Sequence, residues 1–123
     1  MYQDISIATA GTYALDFSWD PGIAPNGTAR LQVWFGLSSD PVGTNVFDMT
    51  INNAVDSGFV GYDMDVSAAV AGTYRLWFVG EQDPAFDALD NISLSSVVPE
   101  PASLTLGAIG LAGLAFGALR RRR

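Results

Sequence analysis

Short runs in which apolar and polar side chains alternate follow one another through the first 96 residues. Two of these runs, AGTYALDF at residues 10–17 and AGTYRLWF at residues 71–78, match at six of eight positions. In each, a glycine marks a turn, and Tyr, Leu and Phe then share one face of a strand because successive strand side chains point to opposite sides. The two segments therefore predict two half-buried antiparallel strands that enter one core.

The same alternation continues in four further runs, RLQVWFG, NVFDMTI, GYDMDV and DALDNISLSSV, which begin at residues 30, 45, 61 and 87. In the last run we expect Ile92 and Leu94 to face the core. Loops rich in Pro, Gly and Asp separate the runs, and the first 98 residues show no sustained 3.6-residue period. The pattern predicts an all-β fold over residues 1–96, an antiparallel β-sandwich of jelly-roll type. A jelly roll that lacks its N-terminal strands is an open alternative.

The first 19 residues lack the basic start and the apolar stretch of a secretory signal. We therefore expect the chain to be a fragment, or to start at an internal methionine, with the signal upstream.

After Leu94 the pattern changes. The tripeptide Pro-Glu-Pro at residues 99–101 is expected to be extended and exposed, because each proline fixes its own backbone and restrains the residue before it. Residues 102–119 then carry no charge, and as a helix they would be about 27 Å long, at the short end of what spans a bilayer core. Four arginines end the chain. We predict one C-terminal transmembrane helix with the arginines on the cytoplasmic side and the body outside.

The charges are unevenly distributed. All 13 acidic residues lie between Asp4 and Glu100, and Arg30 and Arg75 are the only basic residues before the final arginines. Such an acidic body is repelled by phosphate backbones, so we expect no nucleic-acid partner. The chain has neither cysteine nor histidine, which excludes Ser-His and Cys-His nucleophiles and the usual transition-metal sites.

The order VPEP, one apolar span and an arginine cluster, over residues 97–123, resembles the PEP-CTERM sorting domain of Gram-negative bacteria. The resemblance implies an exosortase as partner, with Pro99, Glu100 and Pro101 as the sorting motif and Arg120, Arg121, Arg122 and Arg123 as the membrane stop signal. It implies a precursor in the inner membrane that is cut near the motif and then reaches the cell surface or the medium, in a family associated with exopolysaccharide and biofilm matrix. A permanent anchor is the alternative.

Trp34 and Trp77 are expected on the faces opposite the apolar rows of their strands, where they could stack on sugar rings. The alternative is that they complete contacts within the protein. Residues 70–96 are similar to the closing half of jelly-roll, galactose-binding-like or carbohydrate-binding-like modules. This similarity keeps exopolysaccharide open as a partner.

Asp83, Asp87 and Asp90 lie within eight residues and could supply oxygen ligands to a structural calcium ion, although a solvated acidic loop explains them equally well. We expect no other cofactor. Asp63 and Asp65 share one strand face at a spacing of about 7 Å, which a glycosidase pair could use, but an outward acidic face is the expectation. The sequence therefore predicts an exported, non-catalytic surface or biofilm-matrix protein, with a carbohydrate-binding module as the alternative.

Overall fold

The computed structural model describes residues 1–22, 27–40, 43–55, 57–82 and 87–97. These residues form seven β-strands, and every pair of neighbouring strands is antiparallel. The strands are β1 (Tyr2–Ile7), β2 (Gly11–Asp20), β3 (Thr28–Leu37), β4 (Thr44–Asn52), β5 (Val60–Ala68), β6 (Gly72–Gln82) and β7 (Ala88–Ser96). The part of the chain that the structure describes contains no helix long and apolar enough to cross a bilayer. The helix predicted for residues 102–119 lies outside that part.

The strands form two sheets that enclose one core. One sheet has four strands in the order β1-β6-β3-β4, and the other has three in the order β5-β2-β7. Apolar side chains of both sheets, together with one alanine after β4, form the buried cluster: Ile7, Leu15, Phe17, Trp19, Ala29, Leu31, Val33, Phe35, Ala54, Val66, Ala68, Tyr74, Leu76 and Phe78. The all-β prediction with antiparallel sheets is confirmed, and the jelly-roll type stays a prediction.

The two matching sequence segments lie in opposite sheets. Residues 11–17 are the first seven residues of β2, and residues 72–78 are the first seven residues of β6. Within the two sheets, β2 lies between β5 and β7, while β6 lies between β1 and β3. The last residues of the segments, Phe17 and Phe78, meet across the core with ring centroids 5.4 Å apart. The predicted shared core is therefore confirmed.

The tyrosines of these segments close the turns that precede them. The hydroxyl of Tyr13 donates a hydrogen bond to the carbonyl of Thr9 at 2.7 Å, and the hydroxyl of Tyr74 donates one to the carbonyl of Val70 at 3.0 Å. Each tyrosine thus reaches the carbonyl four residues upstream. The repeated AGTY sequence encodes the same turn-closing bond twice.

Three of the other predicted strands bury the expected faces. Leu31, Val33 and Phe35 of β3 are buried, and the alternate residues of β4 and β5 are half-buried or buried. Strand β1 is not among the runs identified from the pattern, because most of its side chains are exposed and it has few buried apolar positions.

The prediction that Ile92 faces the core is wrong, since its side chain is 38% exposed. Asp16 pairs with Ser93 and Ser18 pairs with Asp90, so two residues of β7 lie opposite one residue of β2. One of the two, Asn91, has a φ of 53°. This β-bulge interrupts the alternation of β7. Consequently two leucines five positions apart, at 89 and 94, both pack against the core.

Candidate functional site

Three aromatic side chains form a row on the outer face of the four-stranded sheet. Trp77 of β6 lies directly opposite Trp34 of β3 on one side and opposite Tyr2 of β1 on the other. The residues on either side of each tryptophan are buried, so both tryptophans point away from the core. Both are half-buried, and Tyr2 is 61% exposed. We call this set the aromatic row; it crosses three strands, about 10 Å from first to last.

Arg75 connects two members of the aromatic row. The central carbon of its guanidinium lies 4.3 Å from the ring centroid of Tyr2 and 5.7 Å from that of Trp77. Its Nε and Nη2 donate hydrogen bonds to the two carboxylate oxygens of Asp4 at 2.5 and 2.7 Å. These hydrogen bonds lower the pKa of Asp4 below its ordinary value. Arg75 is therefore held by a bidentate ion pair beside the rings.

A second ion pair lies on the same face, between β3 and β4. Arg30 donates hydrogen bonds to both carboxylate oxygens of Asp48, at 2.9 and 2.6 Å, and the side-chain amide of Gln32 donates one at 2.9 Å. The hydrogen bonds from Arg30 are the main reason that the pKa of Asp48 is lowered. Both arginines of the body therefore lie on this outer face, and each has a carboxylate partner.

Gly43 makes room for the ring of Trp77, and Gly36 makes room for the backbone of Gly43. Gly43 has a φ of 61°, and a Cβ added to it would lie 3.1 Å from the Trp77 ring and 3.1 Å from the carbonyl oxygen of Phe35. A Cβ on Gly36 would lie 2.6 Å from the Cα of Gly43. Side chains at these positions would displace the ring or the backbone. Sequence reasoning identified Trp34 and Trp77 but missed these glycines and the Arg75–Asp4 pair.

The outer face of the three-stranded sheet carries a different charge from the outer face of the four-stranded sheet. Asp16 of β2 lies directly opposite Asp63 of β5, and Asp65 is two residues further along β5. All three are exposed, so the predicted outward direction of Asp63 and Asp65 is confirmed. Opposed like charges on neighbouring strands repel each other. This face is acidic, whereas both arginines of the other face are paired with carboxylates.

Of the three predicted calcium ligands, the structure describes Asp87 and Asp90, and the calcium site stays a prediction. Asp83 lies outside the described residues. The carboxylate of Asp87 lies against Gly80 of β6, and that of Asp90 accepts a hydrogen bond from the backbone N–H of Asn91 at 2.7 Å, within the β-bulge. In the described ranges no group of three or more His, Cys, Asp or Glu side chains could hold a metal ion.

The last strand leads directly into the C-terminal tail. Strand β7 ends at Ser96, and the backbone N–H of Val97 still donates a hydrogen bond to the carbonyl of Thr12 on β2, at 3.0 Å. A family model described as the PEP-CTERM protein-sorting motif matches residues 97–123. The tail carries a PEP-CTERM sorting motif. The predicted sorting and stop-signal residues lie within this match and outside the described residues. No curated protein and no solved structure matches the chain significantly.

Proposed function

We propose that this chain is an exported surface or biofilm-matrix protein that an exosortase sorts and processes through residues 97–123. The observation that carries the proposal is the match of this segment to the PEP-CTERM protein-sorting motif. The order of its parts supports the same reading: the Pro-Glu-Pro tripeptide, an uncharged stretch and four arginines follow one another without interruption.

In the precursor, residues 102–119 would insert into the inner membrane, and the arginines that follow would stay on the cytoplasmic side. The body then faces outward, and the exosortase cuts near Pro99, Glu100 and Pro101. The nucleophile belongs to the processing enzyme. A non-catalytic body is supported by the lack of histidine and cysteine and by the exposed positions of Asp63 and Asp65 on the outer face of their strand.

The test is expression of the full chain behind a secretion signal, in a bacterium with an exosortase and in the matching exosortase deletion strain. We expect mass spectrometry to find a shortened form without the arginines outside the wild-type cells. Alanine at Pro99, Glu100 and Pro101 should leave the full-length chain in the inner membrane. The control, alanine at Ser103 and Thr105, should be processed normally. Secretion with an intact tail, or equal shortening in the deletion strain, would contradict the proposal.

A second candidate function is carbohydrate binding by the aromatic row. The observation that favours it is the direct opposition of Trp34 and Trp77 on an outer sheet face. Flat aromatic surfaces stack on sugar rings, and the planar polar groups of Arg75 and Gln32 beside the row could bond hydroxyl groups. Because both arginines of this face are paired with carboxylates, the face suits an uncharged polysaccharide.

Affinity electrophoresis of the full chain in gels containing cellulose derivatives, galactomannan or xyloglucan tests this candidate. We expect retardation by at least one neutral polysaccharide, and we expect Trp34→Ala and Trp77→Ala to abolish it. Phe59→Ala is the matched control, because Phe59 is an aromatic residue, 52% exposed, that lies outside the row. Unchanged retardation in both tryptophan variants, with circular dichroism showing intact folds, would exclude the row as the binding site.

A further inference from the structure

Two turns and the start of the tail lie at one end of the sandwich. Gly11 at the start of β2 pairs with Ala68 at the end of β5, and Ile7 at the end of β1 pairs with Gly72 at the start of β6. The turns at residues 8–10 and 69–71 therefore lie side by side. Because Tyr13 pairs with Ser96, Val97 leaves β7 at the same end. We call these two turns together with Val97 the tail end.

The tail end is uncharged and apolar in an otherwise acidic body. The sequence has no charged residue from Ile5 to Leu15 or from Val66 to Tyr74. Four alanines of the two turns are exposed, at positions 8, 10, 69 and 71. Val70 is 51% exposed and Val97 is 45% exposed. The bonds from Tyr13 and Tyr74 fix the turns, so these small apolar side chains are held at the surface.

Charged groups lie beside the tail end rather than on it. Asp65 of β5 lines the same open groove as Ile5, Leu94 and Val97. Asp40 belongs to the turn between β3 and β4, which lies at the same end of the sandwich next to the 69–71 turn, since the backbone N–H of Ser38 donates a hydrogen bond to the carbonyl of Thr73 at 2.9 Å. The tail leaves beside β1, since the groove there is shared by β1 and the end of β7.

The length of the chain limits how far this end can be from a membrane. Val97 is bonded to Thr12, and the uncharged stretch begins at Ala102. Five extended residue steps cover at most about 18 Å. The polar layer on each side of a bilayer core is itself roughly 5–8 Å thick. A span that begins at Ala102 therefore keeps the tail end close to the lipid headgroups.

From this geometry we infer that the tail end is a membrane-contact surface, which rests on the bilayer that holds the precursor. The inference depends on the proposed function, because it needs the tail to span that membrane. Anionic lipids repel carboxylates, so an acidic body held at this distance is favoured to present an uncharged end. Its exposed valines and alanines lose water when they contact the headgroup boundary, which adds a favourable term.

The test uses the full chain reconstituted in vesicles of phosphatidylethanolamine and phosphatidylglycerol that contain a headgroup nitroxide quencher. The chain has no cysteine, so one fluorophore can be placed at Ala10→Cys or, at the opposite end, at Asn52→Cys. We expect strong quenching of the label at position 10 and little at position 52. A second substitution, Val70→Asp, should remove the quenching at position 10. The same change in Val60→Asp, a valine 43% exposed at the other end, should not.

The outcomes separate this inference from the proposed function. If the chain floats with the vesicles but both labels are quenched equally, or Val70→Asp changes nothing, the contact surface is disproved while the membrane span stands. If the chain does not float with the vesicles, both ideas fail. The Val70→Asp variant must float with the vesicles as well as the wild type does. Only then does its loss of quenching show a loss of contact.

Discussion

Phe17 and Phe78 contact each other edge to face across the core, with ring planes at 79°. They occupy the same position in two matching segments of the sequence, one in each sheet. Phe17 also stacks on Tyr62 and meets the edge of Phe47. The repeated segments therefore join the two sheets through their aromatic ends.

Truncating either phenylalanine should destabilise the fold strongly. We expect Phe17→Ala and Phe78→Ala each to reduce the free energy of unfolding by about 3–5 kcal/mol, because each leaves a cavity in the core. The double variant should lose about 0.5–1.5 kcal/mol less than the sum of the two, since the pair interaction is removed only once. Urea denaturation measures all three. Ile92→Ala, at an exposed position, should stay within about 0.5 kcal/mol of wild type.

The two turn-closing tyrosines can be tested as a matched pair. Tyr13→Phe and Tyr74→Phe each remove one hydroxyl and its hydrogen bond, which should cost about 0.5–1.5 kcal/mol. We expect the larger loss for Tyr74, which is 4% exposed and whose hydroxyl also accepts the N–H of Val70 at 3.3 Å. Hydrogen exchange should show faster exchange of that N–H in Tyr74→Phe alone. Equal, negligible losses would mean that the bonds do not hold the turns.

A comparison of Gly43→Ala with Gly58→Ala distinguishes the cost of backbone strain from the cost of contact with Trp77. Both have positive φ, 61° and 70°, so alanine at either position should cost about 1–2 kcal/mol. Only at Gly43 would the new Cβ meet the Trp77 ring. At Gly58 the new Cβ would have no heavy atom within 4 Å other than those of its chain neighbours. Gly43→Ala should therefore be the more destabilising variant and should also shift tryptophan fluorescence. If Gly58→Ala shifts the fluorescence equally, the Trp77 contact is not its cause.

The two ion pairs predict how stability depends on pH. The pKa values of Asp4 and Asp48 are lowered in the folded chain by hydrogen bonds from Arg75 and Arg30. A lowered pKa means that the folded state holds its protons less tightly than the unfolded chain, so the contribution is present above about pH 4 and is lost as pH falls through the lowered values. Asp4→Asn and Asp48→Asn should each flatten the fall in urea midpoint below pH 4. Salt at about 1 M should weaken the contribution of both ion pairs to stability, because both pairs are exposed. If the urea midpoint falls with pH as steeply in both variants as in the wild type, the ion pairs are not the cause of the pH dependence.

Alternation of apolar residues was enough to predict the core-facing residues of β2, β3, β5 and β6. It failed at β7, because the bulge that exposes Ile92 depends on the register with β2, a contact between distant parts of the chain. The outward direction of Trp34 and Trp77 was also predictable from alternation. Their direct opposition was not, since nothing in the local pattern specifies that β3 pairs with β6.

The C-terminal motif was predictable for a different reason. Its parts are contiguous in the sequence and need no folding to be recognised, so the order of residues alone was informative. The calcium hypothesis differs, because it needs side chains to converge in space, which the order of residues alone does not specify. It stays a prediction.

If the tail end rests on the bilayer as proposed, the position of Val97 beside Thr12 also bears on how neighbouring molecules would meet. The strands that start or end at the tail end extend away from the membrane. In a layer of such chains, the outer faces of the two sheets would therefore be the sides that face neighbouring molecules. Carboxylates such as Asp16 and Asp63 would then keep acidic flanks of adjacent molecules apart. The flank that bears Trp34 and Trp77 would remain open to whatever fills the space between the molecules.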